Sequence, residues 1–107
     1  MPKGELIVKG QFEWFSEKSK LNKKHGFAFH EILDVFDDPY FYEIYDIKHS
    51  DVNQTRYNGF GCAKSTLQVV QVAYTQDERT HIISARPATS RERKLYYDRI
   101  RQIDSEV

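Results

Sequence analysis

The chain has a single cysteine, Cys62, so no disulfide can close within it and a cysteine-rich zinc site is excluded. A reducing, cytoplasmic setting fits that usage best, with Cys62 read as a small apolar side chain in a strand. No hydrophobic run approaches the roughly 20 residues that span a bilayer. Nothing apolar follows Met1-Pro-Lys-Gly-Glu5 to make the core of a secretory signal. The expectation is therefore a cytoplasmic protein with no membrane partner. His-x-x-x-His and Asp-x-Asp spacings are missing too, so no metal site and no cofactor is expected. Net charge is also lacking: 16 Lys and Arg balance 16 Asp and Glu. A neutral molecule is not steered to nucleic acid as a whole. No repeat, low-complexity segment or linker divides the sequence, and 107 residues suffice for one domain, 1–107, with a modest core.

Hydrophobic residues make up 39% and charged residues 30%, the composition of a surface-rich soluble domain. The charges are segregated. Lys18, Lys20, Lys23, Lys24 and His25 form one basic block, and Arg86, Arg91, Arg93, Lys94, Arg99 and Arg101 a second. Between them Glu31, Asp34, Asp37, Asp38, Glu43 and Asp46 form an acidic block with no Lys or Arg inside it. Two basic patches that met in the fold would bind phosphates locally. The acidic block suits packing or a basic partner.

Residues 1–5 read as a frayed end. A first strand lies within 6–14. Ser16 is placed to cap a helix over about 17–24, and Gly26 to end it with a positive φ. Phe29, Ile32, Leu33 and Phe36 then fall at i, i+3, i+4 and i+7, one face of a second helix over 28–36. Asp37-Asp38-Pro39 stops it. The two helices make a helical hairpin. Strands follow at 40–46, at 56–62 with a glycine bulge, at 66–75 and at 80–86, the last two joined by a turn at 76–79. A C-terminal helix spans about 90–103, with Leu95, Tyr96, Ile100 and Ile103 as its buried face. Strands in a run after a helical hairpin predict an α+β fold. Its four-stranded antiparallel sheet carries the helices on one face.

The final strand runs into that last helix through a short corner. Thr89 and Glu92 make a Thr-x-x-Glu capping box there. Arg86, Thr89, Arg91 and Arg93 crowd a helix start whose free N–H groups already attract anions. That favours phosphate binding over a merely solvated basic turn. Arg86, at the strand end, has the best geometry for a bidentate clamp.

Taken together, these markers resemble the BrnT family of toxins, small ribonucleases of type II toxin–antitoxin pairs with a fold related to the RelE toxins. The resemblance runs from Phe12-Glu-Trp14 through Asn22, Lys24-His25-Gly26, Phe29 and Glu31 to Val35-Phe36-Asp37-Asp38-Pro39. It continues through His49, Arg56, Gly61, Val72-Ala-Tyr-Thr75 and Arg79 to Ile83-Ser-Ala-Arg-Pro-Ala88, Arg91-Glu92-Arg93 and Tyr96. Three positions depart from the family's pattern. Ala28 replaces a small polar cap, Gln54 and Thr55 stand where an acidic residue is common before Arg56, and His81 stands where arginine is common.

The resemblance implies an RNA substrate cut without metal, a growth-arresting endoribonuclease, and a BrnA-like ribbon-helix-helix antitoxin as partner. Operator DNA is then contacted only through the antitoxin. Metal-free cleavage needs a base for the 2′-hydroxyl, an acid for the leaving oxygen and cations for the phosphorane. The candidate catalytic set is Lys24, His25, Arg56, Arg79 and Arg86, and the candidate substrate-binding set is His49, His81, Thr89 and Arg91; the resemblance carries Lys24, His25 and His49, and the strand–helix corner carries Arg86, Thr89 and Arg91. The local sequence alone explains some of these otherwise. Lys24 and His25 suit a helix C-terminus, Arg79 an exposed turn, and His81 a half-buried hydrogen-bonded site. Tyr40, Phe41, Tyr42, Tyr45 and Tyr57 read as core or partner-interface residues before base-stacking ones. The alternative function is a catalytically degenerate homologue kept as partner or co-regulator of a DNA-binding antitoxin. A direct nucleic-acid binder is the weakest option for a neutral chain.

Overall fold

Two strands open the fold where the pattern suggested one, in a computed structural model that describes residues 3–105. β1 (Leu6–Lys9) turns at Gly10-Gln11 into β2 (Phe12–Phe15), which pairs antiparallel with it, Leu6 opposite Phe15. α1 (Ser16–Asn22) follows, and a 3-10 turn (Lys23–His25) carries it to Gly26, whose φ of 106° ends it as predicted. Ser16 is not the cap. Phe15 holds that position, and Ser16 Oγ instead accepts the Glu5 N–H at 3.0 Å. Glu17 N–H also donates to the Lys3 carbonyl at 3.2 Å, so Lys3 to Glu5 are tied down rather than frayed. Met1 and Pro2 lie outside the described residues.

The helix expected over 28–36 is instead two 3-10 turns, Phe29–Glu31 and Leu33–Asp37. A 3-10 helix has about 3 residues per turn, so every third side chain faces the sheet. Phe29, Ile32 and Val35 are fully buried. Leu33 and Phe36, expected on the buried face, pack only partly buried beside it. The helical hairpin is thus one helix followed by tight turns. Glu31 accepts the Ala28 N–H at 2.8 Å and so caps a turn whose first residue has no polar side chain. Buried Asn22 joins the segment to the sheet: its Nδ2 donates to the Phe27 carbonyl at 2.9 Å and its Oδ1 accepts the Ala85 N–H at 3.0 Å.

β3 (Tyr42–Tyr45), β4 (Arg56–Ala63), β5 (Gln68–Gln76) and β6 (Thr80–Pro87) form the expected antiparallel meander. β2 then adds parallel to β6, with Phe12 opposite Thr80 and Glu13 opposite His81. The sheet is six-stranded and mixed, in the order β1-β2-β6-β5-β4-β3. The α+β class holds. The four-stranded antiparallel sheet expected of a RelE-like fold does not, because the N-terminal hairpin extends it.

No bulge interrupts β4, which pairs with β5 from Arg56–Thr75 to Ala63–Gln68. Its glycines allow close approach instead: a Cβ on Gly61 would lie 2.5 Å from the Val35 carbonyl oxygen. The bulge is in β6, where Tyr74 faces Ile82 and Ala73 faces Ser84, leaving Ile83 without a partner.

The two sheet faces carry separate cores. On one, Phe29, Ile32 and Val35 cover Trp14, Val70, Val72, Tyr74, Ile82 and Ala85. On the other, Tyr96 and Ile100 of α2 (Ser90–Ser105) meet Phe60, Val69, Ala88 and Tyr42. Val69 and Val70, adjacent on β5, point to opposite faces. The helices therefore flank the sheet on both sides, not one. α2 meets the sheet along a narrow stripe, so Leu95 and Ile103, expected inside, are 56% and 37% exposed. Asp38 anchors α2 to the other face. It accepts the Tyr40 N–H at 2.9 Å, the Cys62 N–H at 2.7 Å and the Tyr96 hydroxyl. Burial, then that bond, push the Tyr96 hydroxyl well above the ordinary tyrosine range.

The predicted capping box is present. Glu92 accepts the Thr89 N–H at 2.8 Å, and Thr89 Oγ1 accepts the Glu92 N–H at 3.2 Å. Arg86 donates to both carboxylate oxygens of Glu92, at 2.7 and 3.0 Å. The Arg86 bond first, then burial against it and the Thr89 N–H, leave the Glu92 carboxyl below its ordinary value.

Two outcomes are expected. Asn22→Ala leaves the Phe27 carbonyl and Ala85 N–H without partners in a buried place. It destabilises the protein by about 2–4 kcal/mol, measured by chemical denaturation. Glu92→Gln tests the corner. A lowered folded pKa contributes stability above the ordinary value and loses it as the pH falls through the folded one. The stability gap between native protein and Glu92→Gln is therefore constant from about pH 7 to about pH 5. It closes below the ordinary 4.5 of glutamate. Denaturation midpoints across that range read it.

Candidate active site

Strand register lays a row of side chains across four strands: Arg56 faces Thr75, Thr75 faces His81, and His81 faces Glu13. Paired residues share a face, here the face that α2 also covers. Strands lie about 4.8 Å apart, so Arg56 and His81 stand roughly 10 Å from each other. Part of the row, with Phe15, Arg79, Gln54 and Lys3, lines an open cleft of about 490 Å³.

At one end His81 Nδ1 is 2.8 Å from Glu13 Oε2. An ionised carboxylate only accepts, so Nδ1 donates, and in the neutral ring the lone pair is then on Nε2. The two side chains are 24% and 22% exposed. Phe15 meets the imidazole edge-on at 5.3 Å and 68°. At the other end Asp46 gathers His49 Nδ1 at 2.8 Å and Arg56 Nε at 3.6 Å. The His49 bond, then the neighbouring cations, hold the Asp46 carboxyl below its ordinary value. The Arg56 contact is too long for a hydrogen bond, and the buried Nε–H has no such partner among the described residues.

Lys24 and His25 are exposed at the end of the 3-10 turn. They line a second recess, about 170 Å³, with Ile83 and Ser84. The bulged Ile83 lines both recesses and forms their shared wall. The bulge also turns Arg86 to the same face as His81, since Ile82 and Ala85 both point into the opposite core. Arg86 nevertheless stands roughly 15 Å along β6 from His81, and its fork is occupied by Glu92. The Glu92 bond raises the Arg86 pKa. Thr89 is likewise engaged in the cap, and Arg91 is exposed on the first turn of α2.

Arg79 and His81 thus line one cleft, Arg56 stands in the same row outside its lining with His49 beyond it through Asp46, and Lys24 and His25 line the neighbouring recess. Arg86, Thr89 and Arg91 form a separate corner. The acidic block is largely engaged within the fold: Asp34 accepts the Lys64 N–H at 3.0 Å, Glu43 the Tyr74 hydroxyl, and Asp38 and Asp46 the groups named above. Tyr42 stacks on Phe60 at 5.0 Å and Tyr57 on Tyr74 at 5.6 Å, packing roles as expected. Sequence reading missed Glu13. Its available signal was a lone carboxylate between aromatic residues in a short strand.

Comparison with curated proteins gives no match. The model of the family described as ribonuclease toxin, BrnT, of type II toxin–antitoxin system matches residues 14–92. That span holds the Lys24-His25-Gly26 stop, Arg56, Arg79, His81 and the capping Glu92. The chain belongs to the BrnT family of ribonuclease toxins of type II toxin–antitoxin systems.

Proposed function

We propose that this chain is an endoribonuclease that cuts RNA by a metal-independent route in the cytoplasm, and that a BrnA-like ribbon-helix-helix antitoxin neutralises it. The carrying observation is the row of Arg56, Thr75 and His81 beside Arg79, next to the Lys24–His25 recess. Metal-free cleavage of RNA needs proton acceptors and donors near neutrality, and fixed cations for the extra phosphorane charge. Imidazoles and guanidinium groups are those groups. Arg79 stands exposed at the lip of the cleft. Arg56, with its Nε–H buried beside Asp46, adds a fixed positive charge to the row. Lys24 receives a neighbouring phosphate across Ile83, and His49 and Arg91 lie toward the flanking substrate. Arg86 and Thr89 support the site by holding the start of α2.

The antitoxin supplies the operator contacts in this reading. A chain of zero net charge has no net-charge term to draw it to duplex DNA, and in this reading the antitoxin carries it to the operator.

Purified protein is expected to degrade single-stranded RNA in the presence of EDTA. Arg79→Ala lowers the rate by roughly 100-fold with the thermal midpoint unchanged, because the side chain is exposed. Activity that vanishes in EDTA and returns with magnesium overturns the mechanism. A protein that binds antitoxin and cleaves no RNA is instead a degenerate partner.

A further inference from the structure

We propose that Glu13 and His81 are the proton-transfer pair of this site: His81 Nε2 takes the proton of the attacking 2′-hydroxyl, and Glu13 is the positioning residue that fixes the ring. This rests on the ribonuclease reading and deepens it by choosing between the imidazoles. Glu13 lies just outside the matched residues 14–92.

Three constraints hold the ring. The parallel register places Glu13 directly opposite His81. The 2.8 Å bond to Oε2 places a proton on Nδ1, so the neutral ring carries its lone pair on Nε2. Phe15, edge-on at 5.3 Å, closes one side. A base needs its lone pair aimed before substrate arrives, and here the tautomer and the ring plane are both set by neighbours. His25, by contrast, is exposed at the end of a 3-10 turn. The charged groups facing His81 come from three elements. Lys3 belongs to the N-terminal arm, Glu13 to β2, and Asp77, Glu78 and Arg79 to the β5–β6 turn. Arg79 is the cation of the turn, beside the turn's own carboxylates, with Lys3 a second cation on the N-terminal arm; in this proposal Arg79 meets the phosphate.

The step balances without a redox change. His81 Nε2 accepts the 2′-hydroxyl proton as the 2′-oxygen bonds to phosphorus. The bond from phosphorus to the 5′-oxygen breaks. That oxygen takes a proton from water, and the hydroxide so formed takes the proton from His81. The products are a 2′,3′-cyclic phosphate and a 5′-hydroxyl.

The test is a variant series on the full chain with single-stranded RNA. His81→Ala lowers kcat by about 100-fold to 10,000-fold, and added free imidazole restores part of it. Glu13→Gln lowers kcat by about tenfold to 100-fold at unchanged KM, and Glu13→Asp falls between it and native. Nitrogen NMR of the native protein shows His81 as the single Nδ1–H tautomer, and Glu13→Gln shows a mixture. Circular dichroism confirms that each variant is folded. If native protein cleaves RNA while folded His81→Ala keeps near-native kcat, or is not rescued by imidazole, the pair is not the base and the ribonuclease reading stands. A native Nε2–H tautomer overturns the pair in the same way, whatever the rates. Native protein that cleaves no RNA overturns the reading and this inference together.

Discussion

The cleft depends on a parallel contact whose register covers just Phe12–Thr80 and Glu13–His81. Parallel neighbours need a long crossover. Here α1, four 3-10 turns and three strands intervene, and Glu13 and His81 are 68 positions apart. Closing such a loop costs entropy before any local bond compensates. The compensation comes from burial on either side of Glu13. Phe12 packs on Phe36 at 5.2 Å and Trp14 meets Phe29 edge-on at 6.4 Å. A backbone bond from Thr80 N–H to the Gln11 carbonyl at 2.7 Å sets the start of the register. Apolar side chains on the core face thus hold a polar pair on the opposite one.

The same division of labour recurs across the sheet. Glycines in β4 let the Leu33–Asp37 turn approach the strand backbone, and the carboxylates of that turn and the residue after it reach past the edge to bond backbone N–H groups. Asp38 binds groups from the loop, from β4 and from α2. A carboxylate that accepts several donors is satisfied inside a protein, where an isolated one is costly. α2 buries little else besides Tyr96 and Ile100, so its attachment leans on this bond and on the Thr89–Glu92 cap.

Much of the fold was legible because periodicity survives in the sequence. The β3 to β6 meander, the Gly26 stop and the capping box all follow from local chemistry. Three features did not follow. The polar Lys9-Gly10-Gln11 interruption was absorbed into one strand, so the hairpin and its parallel docking were lost. Phe29, Ile32, Leu33 and Phe36 satisfy the α period, yet Val35 is buried in place of Leu33; tertiary packing chose the tighter helix. The glycines of β4 suggested a bulge, but the extra residue is Ile83, a β-branched side chain that local rules place in regular strand. That shift decided the site. Strict alternation puts His81 and Arg86 on opposite faces, whereas the bulge puts them on one. Arg79, Arg56 and His81 were recognisable as candidates one by one. Their common row depends on register, and Glu13 becomes visible only once that register is known.

Formal neutrality also conceals a lopsided molecule. The lysines of α1 and its 3-10 extension ride over β2 and β6, while Asp34, Asp38, Glu43 and Asp46 lie by β3 and β4, across the width of the sheet. Equal and opposite charges held apart make a permanent dipole moment. In a non-uniform field, such as that near a polyanion, a dipole feels torque and a net pull even when its total charge is zero. The lysines of α1 are drawn toward such a polyanion and the carboxylates by β3 and β4 are pushed from it. Dissolved salt, which shortens the reach of that field to about 8 Å at physiological strength, then governs how often encounters begin in a productive orientation.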